Sequence, residues 1–186
     1  MDDVRASKLL SLVLRHRPQD VGITLDEGGW VGVEPLLAAL RAAGRPMTRA
    51  DLERIVAGSD KQRFVIDPAS DRIRANQGHS VPVDLGLPPA EPPDLLYHGT
   101  SAASVASIRR SGLRRGSRHD VHLSADIATA SRVGARRGRH VVLVVDAARM
   151  AADGHAFRVS ANGVWLTPAV PPAYLRPLDG DWPPDG

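Results

Sequence analysis

Ser117-Arg118-His119-Asp120-Val121-His122-Leu123-Ser124 decides how the second half of this chain is read. Val121 and Leu123 alternate with polar neighbours, the period of a short strand. Ser124 then reads as a helix N-cap, because Asp126-Ile127-Ala128-Thr129-Ala130-Ser131 has helical composition and Gly134 supplies a stop. A strand running into a helix N-terminus offers backbone N–H groups and a positive dipole end to an anion. Arg118 enters such a site from one side and His122 from further along. The same residues also suit a plainer role, Arg118 as a solvated loop arginine and His122 as a hydrogen-bonded core histidine.

Outward from this stretch, Leu95-Leu96-Tyr97-His98-Gly99-Thr100 reads as a strand that delivers a histidine to its end. Gly99 follows where backbone must turn or approach a ligand. Thr100 or Ser101 caps a helix carrying Val105 and Ile108, and Gly112 ends it. His140-Val141-Val142-Leu143-Val144-Val145 is a buried strand by its β-branched run. Asp146 caps a short helix through Met150. Phe157-Arg158-Val159-Ser160 leads into Ala161-Asn162-Gly163-Val164-Trp165-Leu166-Thr167, where Asn-Gly signals a turn.

The first half reads differently. Leu9, Leu12 and Val13 recur at helix spacing, and Pro18 stops the helix near Arg17. Arg15-His16-Arg17 thus sits at a helix C-terminus, where the macrodipole alone favours cations. Ile23-Thr24-Leu25-Asp26 and Trp30-Val31-Gly32-Val33 flank a Glu27-Gly28-Gly29 turn. A helix follows over about Glu34 to Ala43, and Thr48-Arg49-Ala50-Asp51 resembles a capping box opening a third helix through Val56. Arg63–Asp67 and Arg72–Ala75 flank a turn, a hairpin signal. Three helices and a terminal hairpin outline a winged helix. The expected organisation is a first domain over 1–80, a proline-rich linker over 81–93, a second domain over 94–178 and a disordered tail over 179–186.

Composition narrows the chemistry. With no cysteine, disulfides, thiolate metal sites and thiol nucleophiles are excluded. Without a signal peptide or a long apolar run, a cytoplasmic location and no membrane contact are expected. Between Arg109 and Arg139 stand nine arginines against two carboxylates, Asp120 and Asp126. That block suits phosphate-rich partners, although it also suits a solvated face. The one glutamate of the second half, Glu91, lies in the linker. There is no GxxxxGK[ST] loop and no GxGxxG after a strand. The histidines lack metal-ligand spacing with carboxylates, so no metal is expected. A site of arginine, histidine, glycine and Ser/Thr/Asn side chains remains. It can hold phosphates and ribose hydroxyls and stabilise developing negative charge.

His98-Gly99-Thr100, Val121-His122-Leu123-Ser124, Val133-Gly134-Ala135-Arg136-Arg137-Gly138 and Asn162–Thr167 resemble the RNA 2′-phosphotransferases, the tRNA 2′-phosphotransferase family. Leu14-Arg15-His16, Lys61-Gln62-Arg63-Phe64 and Asn76-Gln77-Gly78-His79-Ser80 extend the resemblance into the first half. It covers about residues 5 to 178, with seven motifs in order.

The resemblance implies an α+β protein, with an N-terminal winged-helix lobe and a C-terminal ADP-ribosyltransferase-like β-sheet lobe. It implies NAD as a consumed substrate and RNA carrying an internal 2′-phosphate as partner. The 2′-phosphate attacks the nicotinamide ribose, O2″ then attacks the phosphorus, and ADP-ribose 1″,2″-cyclic phosphate leaves with 2′-OH RNA. The implied catalytic residues are Arg15, His16, Arg63 and Arg118. The implied NAD-binding residues are His98, Gly99, Thr100, His122, Ser124, Asn162, Gly163 and Val164. A monomer is expected, and the same site suits ADP-ribosylation of terminal phosphates on nucleic acids. The rival reading is a winged-helix DNA-binding regulator with a ligand-sensing domain. Its third helix would carry two arginines against two carboxylates, a poor groove reader.

Overall fold

The computed structural model describes residues 2–59, 61–135 and 139–182. It is a mixed α+β protein in two compact units, Met1–Gly86 and Leu87–Gly186. No helix among the described residues is long and apolar enough to cross a membrane.

The first unit opens with α1, Asp3–Arg15, whose N-cap Asp2 accepts a hydrogen bond from the Arg5 N–H at 2.8 Å. Ala6, Leu9, Leu10, Val13 and Leu14 are buried at helical spacing. The helix stops two residues before Arg17, whose backbone is non-helical, as a following proline disfavours the helical region. Pro18–Val21 then forms a 3₁₀ turn. The Glu27-Gly28-Gly29 turn forms as the sequence indicates: Trp30 N–H donates to Asp26 Oδ1, and Gly29 takes φ +79°. Its first arm, however, joins no strand. Only β1, Val31–Gly32, is extended, and its partner lies elsewhere in the chain.

Next come α2, Val33–Ala42, and α3, Arg49–Ala57. The Thr48–Asp51 capping box is present in both directions. Strands β2, Phe64–Asp67, and β3, Arg72–Ala75, pair antiparallel from Phe64–Ala75 to Asp67–Arg72. β1 joins on the far side of β3, giving the order β1-β3-β2. The core between helices and sheet includes Leu10, Leu14, Leu36, Leu40, Leu52 and Ile73, all at 0% exposure.

In the second unit β4, Leu95–Ser101, leads through a 3₁₀ turn to α4, Val105–Ser111, and to β5, Leu113–Arg114. Then follow β6, Val121–Leu123; α5, Ile127–Gly134; β7, His140–Asp146; and α6, Ala147–Ala152. The remaining strands are β8, Arg158–Val159; β9, Trp165–Thr167; β10, Ala169–Val170; and β11, Leu175–Pro177. One sheet has the order β11-β7-β4 and another β6-β9-β8, while β10 pairs with β5. A bridge between Tyr97 and Ser124 ties β4 to the end of β6, with reciprocal N–H···O bonds of 2.9 and 2.8 Å.

This bridge corrects the reading of Ser124. It forms an isolated bridge with Tyr97, and the cap of α5 is Asp126, whose carboxylate accepts from Thr129 N–H at 2.7 Å. That bond holds the Asp126 carboxyl below the usual carboxylate range. The α5 N-terminus therefore already carries an anion of its own, and the anion site expected there is filled by the chain. Arg136-Arg137-Gly138 and the end of the tail, 183–186, lie outside the described residues.

Candidate active site

The first group of candidate residues gathers where α1 ends. Arg15, 8% exposed, donates from Nη2 to the Arg63 carbonyl at 3.3 Å and lies 5.8 Å from the Phe64 ring centre. The carbonyl of Arg15 in turn accepts from Ser80 N–H at 2.8 Å and Val81 N–H at 3.3 Å. The chain thus returns after β3 to satisfy an open helix end. That return places Ser80 Oγ 2.9 Å from His16 Nδ1, fixing the imidazole.

Arg63 is set by Ser59, whose Oγ accepts from Arg63 N–H at 3.3 Å and Nη1 at 3.4 Å. Gln62, just before it, sits at φ +40°, a left-handed position that costs a non-glycine residue about 1–3 kcal/mol. Asn76, 6% exposed, holds it there: its side-chain amide donates to the Gln62 carbonyl and its backbone N–H to the Arg63 carbonyl. His16 and Arg63 line one cleft of about 510 Å³, with Ser59, Lys61 and a stripe of α1.

The second group is built on the Tyr97–Ser124 bridge. His98 Nδ1–H donates to the His122 carbonyl at 3.0 Å. Burial lowers the His98 pKa, against a smaller opposing pull from that carbonyl, so the ring is held neutral. With its proton on Nδ1, Nε2 is the acceptor edge. His122 is the converse. Arg118 Nη1 lies 2.7 Å from His122 Nδ1. Guanidinium only donates, so Nδ1 accepts and the ring proton lies on Nε2. One imidazole offers an acceptor and its neighbour a donor. Arg118 and His122 are thus direct partners rather than two separate entries into a helix-end site.

Along β4, His98 and Thr100 share one face and Gly99 the other. Gly99 is needed for close approach: a Cβ there would lie 1.8 Å from the Ala130 carbonyl oxygen of α5. His98 and Thr100 therefore face away from α5.

Register aligns Ser124 with Val164, and Asn162 and Gly163 form the turn before Val164. Leu123 pairs with Trp165, so Ser124 and Val164 fall in line one step beyond. Ser160, 3% exposed, pins the turn: its Oγ accepts from Val164 N–H at 3.1 Å and donates to Asn162 Oδ1 at 2.7 Å. Gly163 takes φ +75°, as an Asn-Gly turn requires.

Sequence reasoning assigned no positioning role to Ser59, Asn76, Ser80 or Ser160. The available signal was weak: Asn76 and Ser80 are the ends of a motif that carried only the resemblance, and Ser59 and Ser160 are small polar residues two positions before one. The donor and acceptor set of the second unit fits a ligand with hydroxyls and an amide, and the arginines of both units fit phosphate. Among the described residues no group of three or more His, Asp or Glu side chains could hold a metal ion.

Comparison with known proteins adds a family. The model of the RNA 2′-phosphotransferase, Tpt1 / KptA family matches residues 1–169. A Streptomyces coelicolor protein named "Probable RNA 2′-phosphotransferase" is 60% identical over 173 residues, covering 93% of this chain and 94% of the relative. A Streptomyces griseus protein of the same name is 58% identical, covering 92% and 95%. A third, from Burkholderia pseudomallei, is 54% identical, covering 92% and 94%. Matched across nearly its whole length, the chain belongs to the RNA 2′-phosphotransferase, Tpt1 / KptA family.

Proposed function

We propose that the chain removes an internal 2′-phosphate from RNA, with NAD consumed as the second substrate. In this reading the first unit is a winged-helix lobe that engages the RNA phosphate. The second is an ADP-ribosyltransferase-like lobe that binds NAD through His98, Gly99, Thr100, His122, Ser124, Asn162, Gly163 and Val164. Family membership supports the phosphotransferase class. The observation that carries the site is the convergence of His16 and Arg63 on one cleft, with Arg15 bonded to the Arg63 backbone.

A phosphate monoester is already largely dianionic at neutral pH, since its second pKa is about 6. It needs no general base, which agrees with a second unit whose one glutamate is Glu91. It needs cations that orient it and share its charge. Arg15, His16, Arg63 and Arg118 take that role. The 2′-phosphate oxygen bonds to C1″ of the nicotinamide ribose and nicotinamide leaves. O2″ then attacks the phosphorus, the bond to the RNA ribose 2′-oxygen breaks, and that oxygen takes a proton. Ser80 at Nδ1 orients His16, and Nε2 is assigned as the proton donor to the departing oxygen.

The reading of a DNA-binding regulator loses support at α3. Arg49 is held by Asp71 and Glu53, and Arg54 by Asp3 and Asp51. These arginines are neutralised within the fold.

The test is dephosphorylation of an RNA oligonucleotide carrying one internal 2′-phosphate. Turnover is expected only with NAD and is expected to survive EDTA. Release of inorganic phosphate without NAD would contradict the proposal.

A further inference from the structure

The stripe of α1 on this cleft, with Val4 and Lys8 exposed and Ser7, Ser11 and Leu12 half-buried, is not used by the chemistry above. Val4, Ser7, Lys8, Ser11, Leu12 and His16 recur at three- and four-residue steps and line the cleft that His16 shares with Arg63. Twenty-two of the chain's 24 basic residues are arginine; the two lysines are Lys8 and Lys61, and both line this cleft. Lys8 is exposed and forms no ion pair among the described residues. Arg54, which also lines the cleft, is neutralised by Asp3 and Asp51. Val4 is 65% exposed, and Leu12 lines the same cleft.

Eight residues of helix separate Lys8 from His16, a distance of roughly 12 Å along the axis. A phosphate held at His16 and Arg63 is too far away to account for Lys8. The cleft therefore offers a second cationic position beside an apolar surface. We propose that it holds the nucleotide next to the 2′-phosphorylated one. Lys8 and Lys61 take its backbone phosphate, Ser7 and Ser11 supply hydroxyl donors, and the ribose or base rests on Val4 and Leu12. Lysine suits this task, being a mobile point charge rather than a fixed fork. This inference rests on the reading of His16 and Arg63 as 2′-phosphate ligands. It predicts a preference for an internal phosphate, since a lone nucleotide leaves the stripe uncovered.

Fluorescence anisotropy with a labelled RNA hexanucleotide carrying an internal 2′-phosphate, in the absence of NAD, reads binding apart from turnover. Lys8→Ala is expected to weaken binding roughly three- to tenfold, and Lys8→Glu more. The slope of log affinity against log salt should shrink by about 0.7 for the lost phosphate contact. Arg5→Ala is the control. It lies on α1 outside the cleft, is exposed and pairs with Asp2, and is expected to bind as the unmodified protein does. The ratio of the dissociation constant for the hexanucleotide to that for adenosine 2′-phosphate should rise in both Lys8 variants. Unmodified affinity in Lys8→Glu, a loss equal for the mononucleotide, or no RNA binding by the unmodified protein overturns the inference. Failure of NAD-dependent turnover alongside the expected binding changes would instead count against the reaction and not against the cleft.

Discussion

His98 and His122 differ by one hydrogen bond each, and those bonds set opposite tautomers on adjacent strands. The His98 pKa lies below its ordinary 6.5 because the ring is buried. Its unfolded form therefore takes a proton first as the pH falls. The stability that depends on neutral His98 is complete above about 6.5 and declines below it, toward the lower folded value. Chemical denaturation at pH 7.5 and 5.5 is expected to show this loss, reduced in His98→Asn. An identical pH profile in the variant would contradict a buried neutral histidine. Arg118 is read differently, as a cation for the reacting phosphate that also fixes His122. In the proposed second step charge gathers on the phosphorus oxygens, and losing one preset donor costs roughly 10²–10³ in rate. Arg118→Ala is therefore expected to slow the second step more than the first, so that ADP-ribosylated RNA accumulates in a single-turnover time course. Turnover at the unmodified rate would reduce Arg118 to a surface residue.

Among elements, the contact of β4 with α5 is the least tolerant. A methyl at Gly99 would overlap the Ala130 carbonyl, and on the facing side a Cβ added at Gly134 would make only a tight contact, 3.2 Å from the Gly99 carbonyl carbon. Gly99→Ala is expected to destabilise the fold by about 3 kcal/mol, read as a lower thermal midpoint. A normal midpoint with lost NAD binding would move Gly99 from packing to ligand contact. These elements also show what the sequence could reveal. The hairpin of β2 and β3, the Thr48 capping box and the buried run of β7 were legible because period and turn chemistry are local signals. The cap of α5 was misread by two residues because Ser124, a good cap by type, is claimed by a bridge with Tyr97. The Arg118–His122 bond was not legible as a contact, because the residues before Val121 have no periodic structure that fixes side-chain direction. Asn76 and Ser80 escaped notice as positioning groups because their partners lie 14 and 64 residues away.

At the scale of the whole molecule, charge separates the two units. In the first, Arg49, Arg54 and Arg72 are each tied to carboxylates. In the second, the arginines at 109, 110, 114, 115, 132 and 139 form no ion pair among the described residues. That basic segment suits attraction of a polyanion that salt screens, while the shaped contacts are proposed for His16, Arg63, His98 and His122. The central claim is that the phosphorus leaves RNA attached to ADP-ribose rather than to water. It is tested most directly by placing ³²P in the internal 2′-phosphate, incubating the RNA with the protein and NAD, and identifying every labelled product by chromatography and mass spectrometry. The account predicts that the label ends in ADP-ribose 1″,2″-cyclic phosphate, with nicotinamide and 2′-OH RNA formed in equal amount. Label recovered as inorganic phosphate, with NAD intact, would contradict it.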